Sequence, residues 1–207
     1  MSDINKNVHK FDLIGGRLCL DFANTVGWHD SREKSEELLT SYEELVNWSL
    51  QANIFNQQQS LSLLKKAQSQ PSKAKEILQQ AIELRESIYQ IFSLVSNNEP
   101  PASRDLSILN KALGHAYGLI RLVPGEHKFS LKFLNCGETL DGMLPPIVQS
   151  AIDILTSEKE LSRVKKCEGA PCGWLFLDTS RNRSRRWCSM ADCGNRAKAK
   201  RFYHNKK

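Results

Sequence analysis

The longest regular pattern of apolar residues in the chain follows Pro71. Apolar side chains recur there at alternating steps of four and three residues, at Ile77, Ala81, Leu84, Ile88, Ile91 and Val95, and Leu78, Ile82 and Phe92 widen the stripe. So broad a stripe is typical of a helix buried against other helices. We favour that interpretation over a dimerising coiled coil, because the run is short and its flanking charges show little order.

Three shorter helices are predicted around it, over residues 40–51, 56–70 and 103–117. Their predicted N-caps are Thr40 or Ser41, Asn56 and Ser103, since hydroxyl and amide side chains accept hydrogen bonds from the first N–H groups of a helix. The first helix would bury Tyr42, Leu45, Val46 and Ser49 on one face. Residues 18–26 are also apolar, but so short a segment fits a buried helix or a strand equally well.

A β-hairpin is predicted beyond Leu119, where the apolar period changes from that of a helix to that of a strand. Ile120 and Leu122 alternate with Arg121, while Phe129, Leu131 and Phe133 alternate with Ser130 and Lys132. Pro124, Gly125 and Glu126 lie between the two runs, as turn residues do.

One more helix is predicted from Pro145 and Pro146, with Ile147, Val148, Ala151, Ile152 and Leu155 facing inward. The polar residues 157–162 follow it, and we place a domain boundary there. The predicted fold class is α+β. A mostly helical N-terminal domain with a β-hairpin occupies residues 1–160, and a small C-terminal domain with short strands and a terminal helix occupies residues 163–207.

Charge divides the chain at the same boundary. Residues 163–207 hold 13 lysines and arginines and three acidic residues, whereas the first 162 residues hold 16 basic and 20 acidic side chains. A cationic end on a mildly anionic body predicts a polyanion-binding tail. No run of 18 apolar residues is present, so no membrane span is expected. Residues 1–10 lack the apolar stretch of a signal peptide, and we therefore expect a cytoplasmic protein without structural disulfides.

Four cysteines of the C-terminal segment are spaced as two pairs, Cys167 with Cys172 and Cys188 with Cys193. Each pair is separated by four residues and surrounded by glycine and proline, a pattern that presents two thiolates from a tight turn to one tetrahedral zinc ion. So small a domain also needs a metal to fold. The alternatives are ordinary thiols or a redox pair. His204 is a candidate substitute ligand, while Cys19 and Cys136 stand alone and are expected to be structural.

The basic residues flank this predicted zinc site. Four of them, Arg181, Arg183, Arg185 and Arg186, lie between the cysteine pairs. Asn195, Arg196, Lys198, Lys200 and Arg201 follow Cys193 in a predicted helix, whose apolar arc of Ala199, Phe202 and Tyr203 is expected to pack on the zinc core. Arginine neutralises phosphates, and arginine and asparagine read base edges. We therefore predict that these residues bind nucleic acid, with contact to a protein as the alternative.

Two stretches of the chain resemble a known family. Cys193 to Arg196 reads CGNR, and residues 163–207 resemble the CGNR zinc finger of bacterial proteins in their cysteine pairs and in the run SRNRSRRWC. Gly15 to Val26, GGRLCLDFANTV, is similar to the opening of the ABATE domain that accompanies this finger. The resemblance implies an α/β N-terminal domain, a zinc-binding C-terminal domain with the four cysteines as ligands, and a transcriptional regulator.

The sequence thus predicts a DNA-binding regulator whose N-terminal domain senses a small molecule or forms a homodimer. The alternative is a zinc-containing module that binds a protein or RNA without reading a DNA sequence. Asp21, Asn24 and His29 are polar residues close together in an apolar context, and they form a candidate effector site. No nucleophile elbow, phosphate loop or histidine-rich metal motif is present, so no enzymatic activity is expected.

Overall fold

The computed structural model describes residues 9–204, apart from the side chain of His204. The predicted substitute ligand at His204 therefore lies outside the described side chains. The helices are α1 (Leu18–Ala23), α2 (Tyr42–Gln51), α3 (Gln57–Ser69), α4 (Pro71–Ser96), α5 (Ser103–Leu119), α6 (Leu144–Leu155), α7 (Glu158–Leu161) and α8 (Asn195–His204). The strands are β1 (Val26–Gly27), β2 (Glu36–Glu37), β3 (Ile120–Pro124), β4 (Phe129–Phe133), β5 (Val164–Lys166) and β6 (Leu175–Leu177). No helix within 9–204 is long and apolar enough to cross a membrane.

Helix α4 is the centre of the N-terminal bundle, and α1, α2, α3 and α5 pack against it. Its predicted stripe is buried from Ile77 to Ile91, which confirms that the pattern is core and supports helix packing over a coiled coil. Helix α6 covers α5 and α1. Its buried face includes Ile154 and leaves Ile152 half-exposed, so the predicted inward face is rotated slightly.

Capping side chains mark where α2 and α3 begin. Ser41 accepts a hydrogen bond from the Glu44 N–H, and Asn56 forms a reciprocal capping box with Gln59. The cap predicted at Ser103 is wrong, because Ser103 is the first helical residue and Ala102 precedes it without a side-chain bond. The ambiguous segment 18–26 is a helix followed by β1, since α1 is buried between α4 and α6.

Every sheet in the described part of the chain is an antiparallel pair of strands. The α/β class implied by the resemblance is therefore wrong, and the α+β, mostly helical class is confirmed. The predicted hairpin is β3–β4, joined by a loop in which the Gly125 N–H donates to the Lys128 carbonyl at 2.9 Å. Its register pairs Leu122 with Leu131 and places the apolar side chains of both strands, except Val123, on one face,.

The C-terminal segment packs closely on the helical body. Val164, Leu175 and Leu177 belong to the same buried cluster as the helices. The side-chain amide of Asn24 bonds to both the N–H and the carbonyl of Leu175, each at 2.8 Å. The polar joint predicted at 157–162 contains α7. The domain boundary itself stays a prediction.

Candidate metal centre and basic surface

The first cysteine pair is held by strands β5 and β6. Cys167 directly follows β5 and its N–H donates to the Trp174 carbonyl at 2.8 Å, while the Cys172 N–H donates to the Gly169 carbonyl at 2.8 Å. A side chain at Gly169 would meet Cys193, because a Cβ there would lie 2.7 Å from the Cys193 Cβ. The strand pair thus supports the first knuckle, the turn that carries Cys167 and Cys172.

Cys193 of the second pair lies on a π-helical turn, Met190–Gly194, that runs directly into α8, and Cys188 precedes this turn. Ser189 caps this turn by accepting a hydrogen bond from the Asp192 N–H at 3.2 Å. The Gly194 N–H returns to the Ser189 carbonyl at 3.0 Å. The position of α8 is therefore fixed by the same turn that carries Cys193.

The four predicted cysteines meet at one point. Their Sγ atoms all lie within 4.8 Å of one another, and Cys188 lies 3.6 Å from both Cys172 and Cys193. Four thiolates around zinc at the usual bond length have Sγ atoms separated by about 3.8 Å. All six cysteines are free of disulfides. The donor set and its spacing fit one zinc ion, held by Cys167, Cys172, Cys188 and Cys193.

The electrostatics of this cluster also call for a cation. Hydrogen bonds from the neighbouring thiols lower the pKa of Cys167, and the hydrogen bond that Cys172 makes with Cys167 raises the pKa of Cys172 to about 12. The backbone N–H groups of Gly169 and Cys188 point at the Cys167 Sγ, at 3.4 and 3.3 Å. Without a positive ion, four ionised thiols this close repel one another, so the metal and the thiolates stabilise each other.

Apolar cover for the cluster comes from three aromatic residues of the module and from Ile14. Phe176 is fully buried beside the cysteines, and Trp174, Trp187 and Ile14 pack on them. The guanidinium of Arg196, a predicted nucleic-acid contact, instead donates to the Cys193 Sγ at 2.9 Å and lies over the Trp28 ring at 4.4 Å. One residue of the CGNR motif thus supports the metal centre.

The loop between the knuckles is organised by a carboxylate that sequence reasoning missed. Asp178 is fully buried and accepts hydrogen bonds from Lys165, Ser180 and the Arg185 N–H. Burial opposes its charged form, but these hydrogen bonds outweigh burial and hold the pKa of Asp178 well below its usual range. Its position two residues before Ser180 is the available clue, since aspartate often bonds the backbone two residues on.

The four arginines of this loop face different surroundings. Arg185 points inward, where its guanidinium lies 4.4 Å from the Phe176 ring and donates to the carbonyls of Trp187 and Cys188. Arg186 is exposed and pairs with Glu168. Arg181 and Arg183 are exposed, and their guanidinium groups have no partner within residues 9–203. Two of the four loop arginines, Arg181 and Arg183, are therefore available to bind an anion from outside the chain.

Helix α8 projects further than predicted. Phe202 is 58% exposed and Tyr203 70% exposed, so the expectation that their arc packs on the zinc core is wrong. Helix α8 is anchored at its first turn, where Arg196 donates to the Sγ of Cys193 on the preceding turn. Lys198, Lys200 and Arg201 are exposed, and Asn195 uses its amide to bond the Ala191 carbonyl at 2.9 Å.

Two of the three residues of the candidate effector site, Asp21 and Asn24, lie at one cavity, whereas His29 is not among the residues that line it. Asn24 is buried against Leu175, and the His29 ring stacks on Tyr89 at 3.4 Å. Burial lowers the pKa of His29. Asp21 and Asn24 both line this cavity, which has a volume of about 310 Å³ and neighbours the cysteines. Cys19 is fully buried with a pKa raised to about 12 by burial, and Cys136 is half-buried.

Comparison with family models accounts for nearly all of the chain. Residues 163–206 match the model of the CGNR zinc finger. Residues 16–158 match the model of ABATE, whose description is "putative stress-induced transcription regulator". A search of curated proteins finds no matching relative. The two matches meet between residues 158 and 163, and the four clustered cysteines all lie within the second match.

Proposed function

Since the chain belongs to the ABATE family and carries a CGNR zinc finger, we propose that it is a transcription regulator whose zinc module binds DNA. The supporting observation is the set of outward cations on that module, Arg181, Arg183, Lys198, Lys200 and Arg201. Such cations neutralise phosphates and release counterions. A regulator of this kind works in the bacterial cytoplasm, and the proposal assigns it no catalytic step.

Two elements of the module have distinct parts in this proposal. The loop cations Arg181 and Arg183 contact phosphates and set the orientation of the module on the duplex. Helix α8 is exposed from Lys198 to Tyr203, and an exposed helix fits the major groove of B-DNA. Zinc would hold both elements, because Cys188 ends the loop and Cys193 lies two residues before α8.

A homodimer would supply the second contact that one small module needs. Single modules bury only about 600–1,000 Å² on DNA, which is modest for specific binding. The β3–β4 hairpin offers a surface, since Leu122, Phe129 and Leu131 share one face and are each about two-thirds exposed. That face carries no charge, whereas Arg121 and Lys132 lie on the opposite face. Two hairpins can pack face to face without bringing like charges together.

An RNA-binding role is the second candidate, and α8 carries the observation that favours it. Phe202 and Tyr203 stand exposed beside Lys198 and Arg201. Aromatic rings next to cations bind unpaired bases by stacking, in a manner that a duplex does not allow. The same exposed surface would also suit a protein partner.

Binding of labelled nucleic acids to the zinc-loaded full chain distinguishes these functions. Fluorescence anisotropy with random duplex DNA, single-stranded DNA and single-stranded RNA is measured over a range of salt concentrations. We expect the duplex to bind most tightly with a steep salt dependence. Preference for RNA, lost in Phe202→Ala with Tyr203→Ala, would support the second candidate. Failure to bind any of the three at low salt would reject both and favour a protein partner.

A further inference from the structure

A cavity of about 310 Å³ lies between the N-terminal part of the chain, before α2, and the zinc module. One wall is formed by residues 9–38, including Asp21 and Trp28, and the other by residues 172–196, including Trp174 and Arg196. The volume is at the lower end of the range for small-molecule sites. Its walls belong to the two family matches, so a ligand here would touch both parts of the chain.

The charged groups of this cavity are mostly acidic. Asp12, Asp21, Glu36 and Asp192 line it, against the cations Lys10 and Arg196 and the imidazole of His9. Asp21 uses one oxygen to accept the Gly15 N–H at 2.7 Å. Its other oxygen has no hydrogen-bond partner in the described part of the chain. Burial raises the pKa of Asp21 to about 6, which a cationic neighbour would reverse.

The cavity already shows what kind of group its aromatic wall accepts. The guanidinium of Arg196 lies 4.4 Å from the centre of the Trp28 ring, a cation–π contact that a planar cation makes readily. Trp28 holds this position with a φ of +53°, a left-handed conformation that is rare for a bulky residue and persists only where surrounding structure enforces it. Trp174 is fixed by its Nε1–H, which donates to the Val26 carbonyl at 2.7 Å.

We propose that this cavity binds a small planar organic cation, an amidine or amine attached to a flat apolar group. The cation pairs with Asp21 and takes the Trp28 face that Arg196 now occupies. Displaced Arg196 loses its support from Trp28, and because it lies in the first turn of α8, the anchoring of that helix changes. The consequence for DNA affinity rests on the proposed function, whereas the binding itself does not.

Benzamidine is a suitable probe, with neutral benzamide and anionic benzoate as controls of the same shape. Binding is measured by calorimetry on the zinc-loaded full chain. We expect saturable binding of benzamidine and at least roughly tenfold weaker binding of both controls, since a charged hydrogen bond is at stake. Equal binding of the three probes, or no saturable binding of benzamidine, would overturn the proposal.

Variants test the two contacts separately. Asp21→Asn keeps the acceptor for Gly15 and should weaken benzamidine roughly tenfold, whereas Glu83→Gln, in a separate groove between α4, α5 and α6, should have no effect. Arg196→Met removes the competing cation and should strengthen benzamidine binding by roughly threefold. If Asp21→Asn fails to fold, Arg196→Met decides alone. Unchanged or weaker binding to Arg196→Met contradicts the displacement.

The effect of ligand binding on DNA affinity is measured with the same zinc-loaded full chain. Duplex affinity is compared with and without saturating benzamidine, with benzamide as the control. A change in duplex affinity with benzamidine but not with benzamide supports the coupling. An unchanged duplex affinity rejects it. If the protein binds no duplex under any condition, the proposed function fails while the calorimetric result on the cavity stands.

Discussion

The side-chain amide of Asn24 pairs with the backbone of Leu175 as an additional strand would. Its Nδ2 donates to the Leu175 carbonyl and its Oδ1 accepts the Leu175 N–H, each at 2.8 Å, across 151 residues of sequence. Both residues are buried. The contact fastens the turn after α1 to strand β6, and β6 in turn supports the first cysteine knuckle. Asn24, a candidate effector residue by sequence, thus connects the body to the metal module.

Replacing Asn24 should lower the free energy of unfolding, because the body and the metal module lose this connection. Asn24→Ala leaves the N–H and the carbonyl of Leu175 buried without partners, which costs about 2–4 kcal/mol of unfolding free energy. Asn24→Asp should cost as much or more, because a carboxylate cannot donate to the carbonyl. Urea unfolding of the zinc-loaded chain measures both, with Asn182→Ala on the exposed loop as the control. A loss below 1 kcal/mol for both variants would show that the pairing contributes little.

Zinc binding should require the four clustered cysteines and should not require Cys19 or Cys136. Purified protein is expected to hold close to one zinc per chain, and Cys188→Ser should lose the zinc together with the order of the module. Cys136→Ser, at a free and half-buried thiol, is the matched control and should retain it. Metal analysis and near-ultraviolet circular dichroism, which reports on Trp174 and Trp187, measure the two effects. Zinc affinity should also decrease as the pH is lowered, since the ligands must lose protons to bind the metal.

The metal site was predictable because its information is local. The spacing of Cys167, Cys172, Cys188 and Cys193 is written in the sequence, and so are the caps at Ser41 and Asn56. The directions of the arginines were not predictable, since Arg183 and Arg185 stand two residues apart in one loop. Their difference depends on buried Asp178, which holds the Arg185 N–H. A helical wheel likewise shows the apolar arc of α8 but not whether a surface exists for it to cover.

The inward and outward arginines should behave differently when replaced. Arg181→Ala combined with Arg183→Ala should weaken duplex binding and reduce the slope of log affinity against log salt by about 2. The same double variant should leave zinc content and unfolding unchanged. Arg185→Ala should instead destabilise the module, because its guanidinium bonds two carbonyls and covers Phe176. Salt-dependent anisotropy and urea unfolding separate the effects, and an unchanged salt slope in the double variant would argue strongly against phosphate contacts there.

Self-association should depend on one face of the hairpin. Leu131→Asp places a charge at the centre of the apolar face and should convert the dimer to a monomer. Lys132→Asp changes the neighbouring residue on the opposite face and serves as the control, which should remain dimeric. Size-exclusion chromatography with light scattering gives the mass of each. A wild-type protein that is monomeric well above micromolar concentration, or equal masses for the two variants, contradicts the proposed interface.

The half-buried carboxyl of Asp21 should make stability depend on pH in a defined direction. Its pKa is raised by burial from 3.8 to about 6 in the folded protein. The folded state therefore holds its proton more tightly than the unfolded state does, so this group destabilises the fold increasingly as pH rises from about 4 to about 6. The cost above that window is at most about 3 kcal/mol. Asp21→Asn cannot ionise, so its unfolding free energy relative to the wild type should rise across the same window. Urea unfolding at pH 4, 5, 6 and 7 measures that difference, with Asp12→Asn, exposed at the same cavity, as the control. A difference that stays constant with pH would show that Asp21 is as well solvated in the fold as in the open chain, and the case for a cation partner at that wall of the cavity would fall with it.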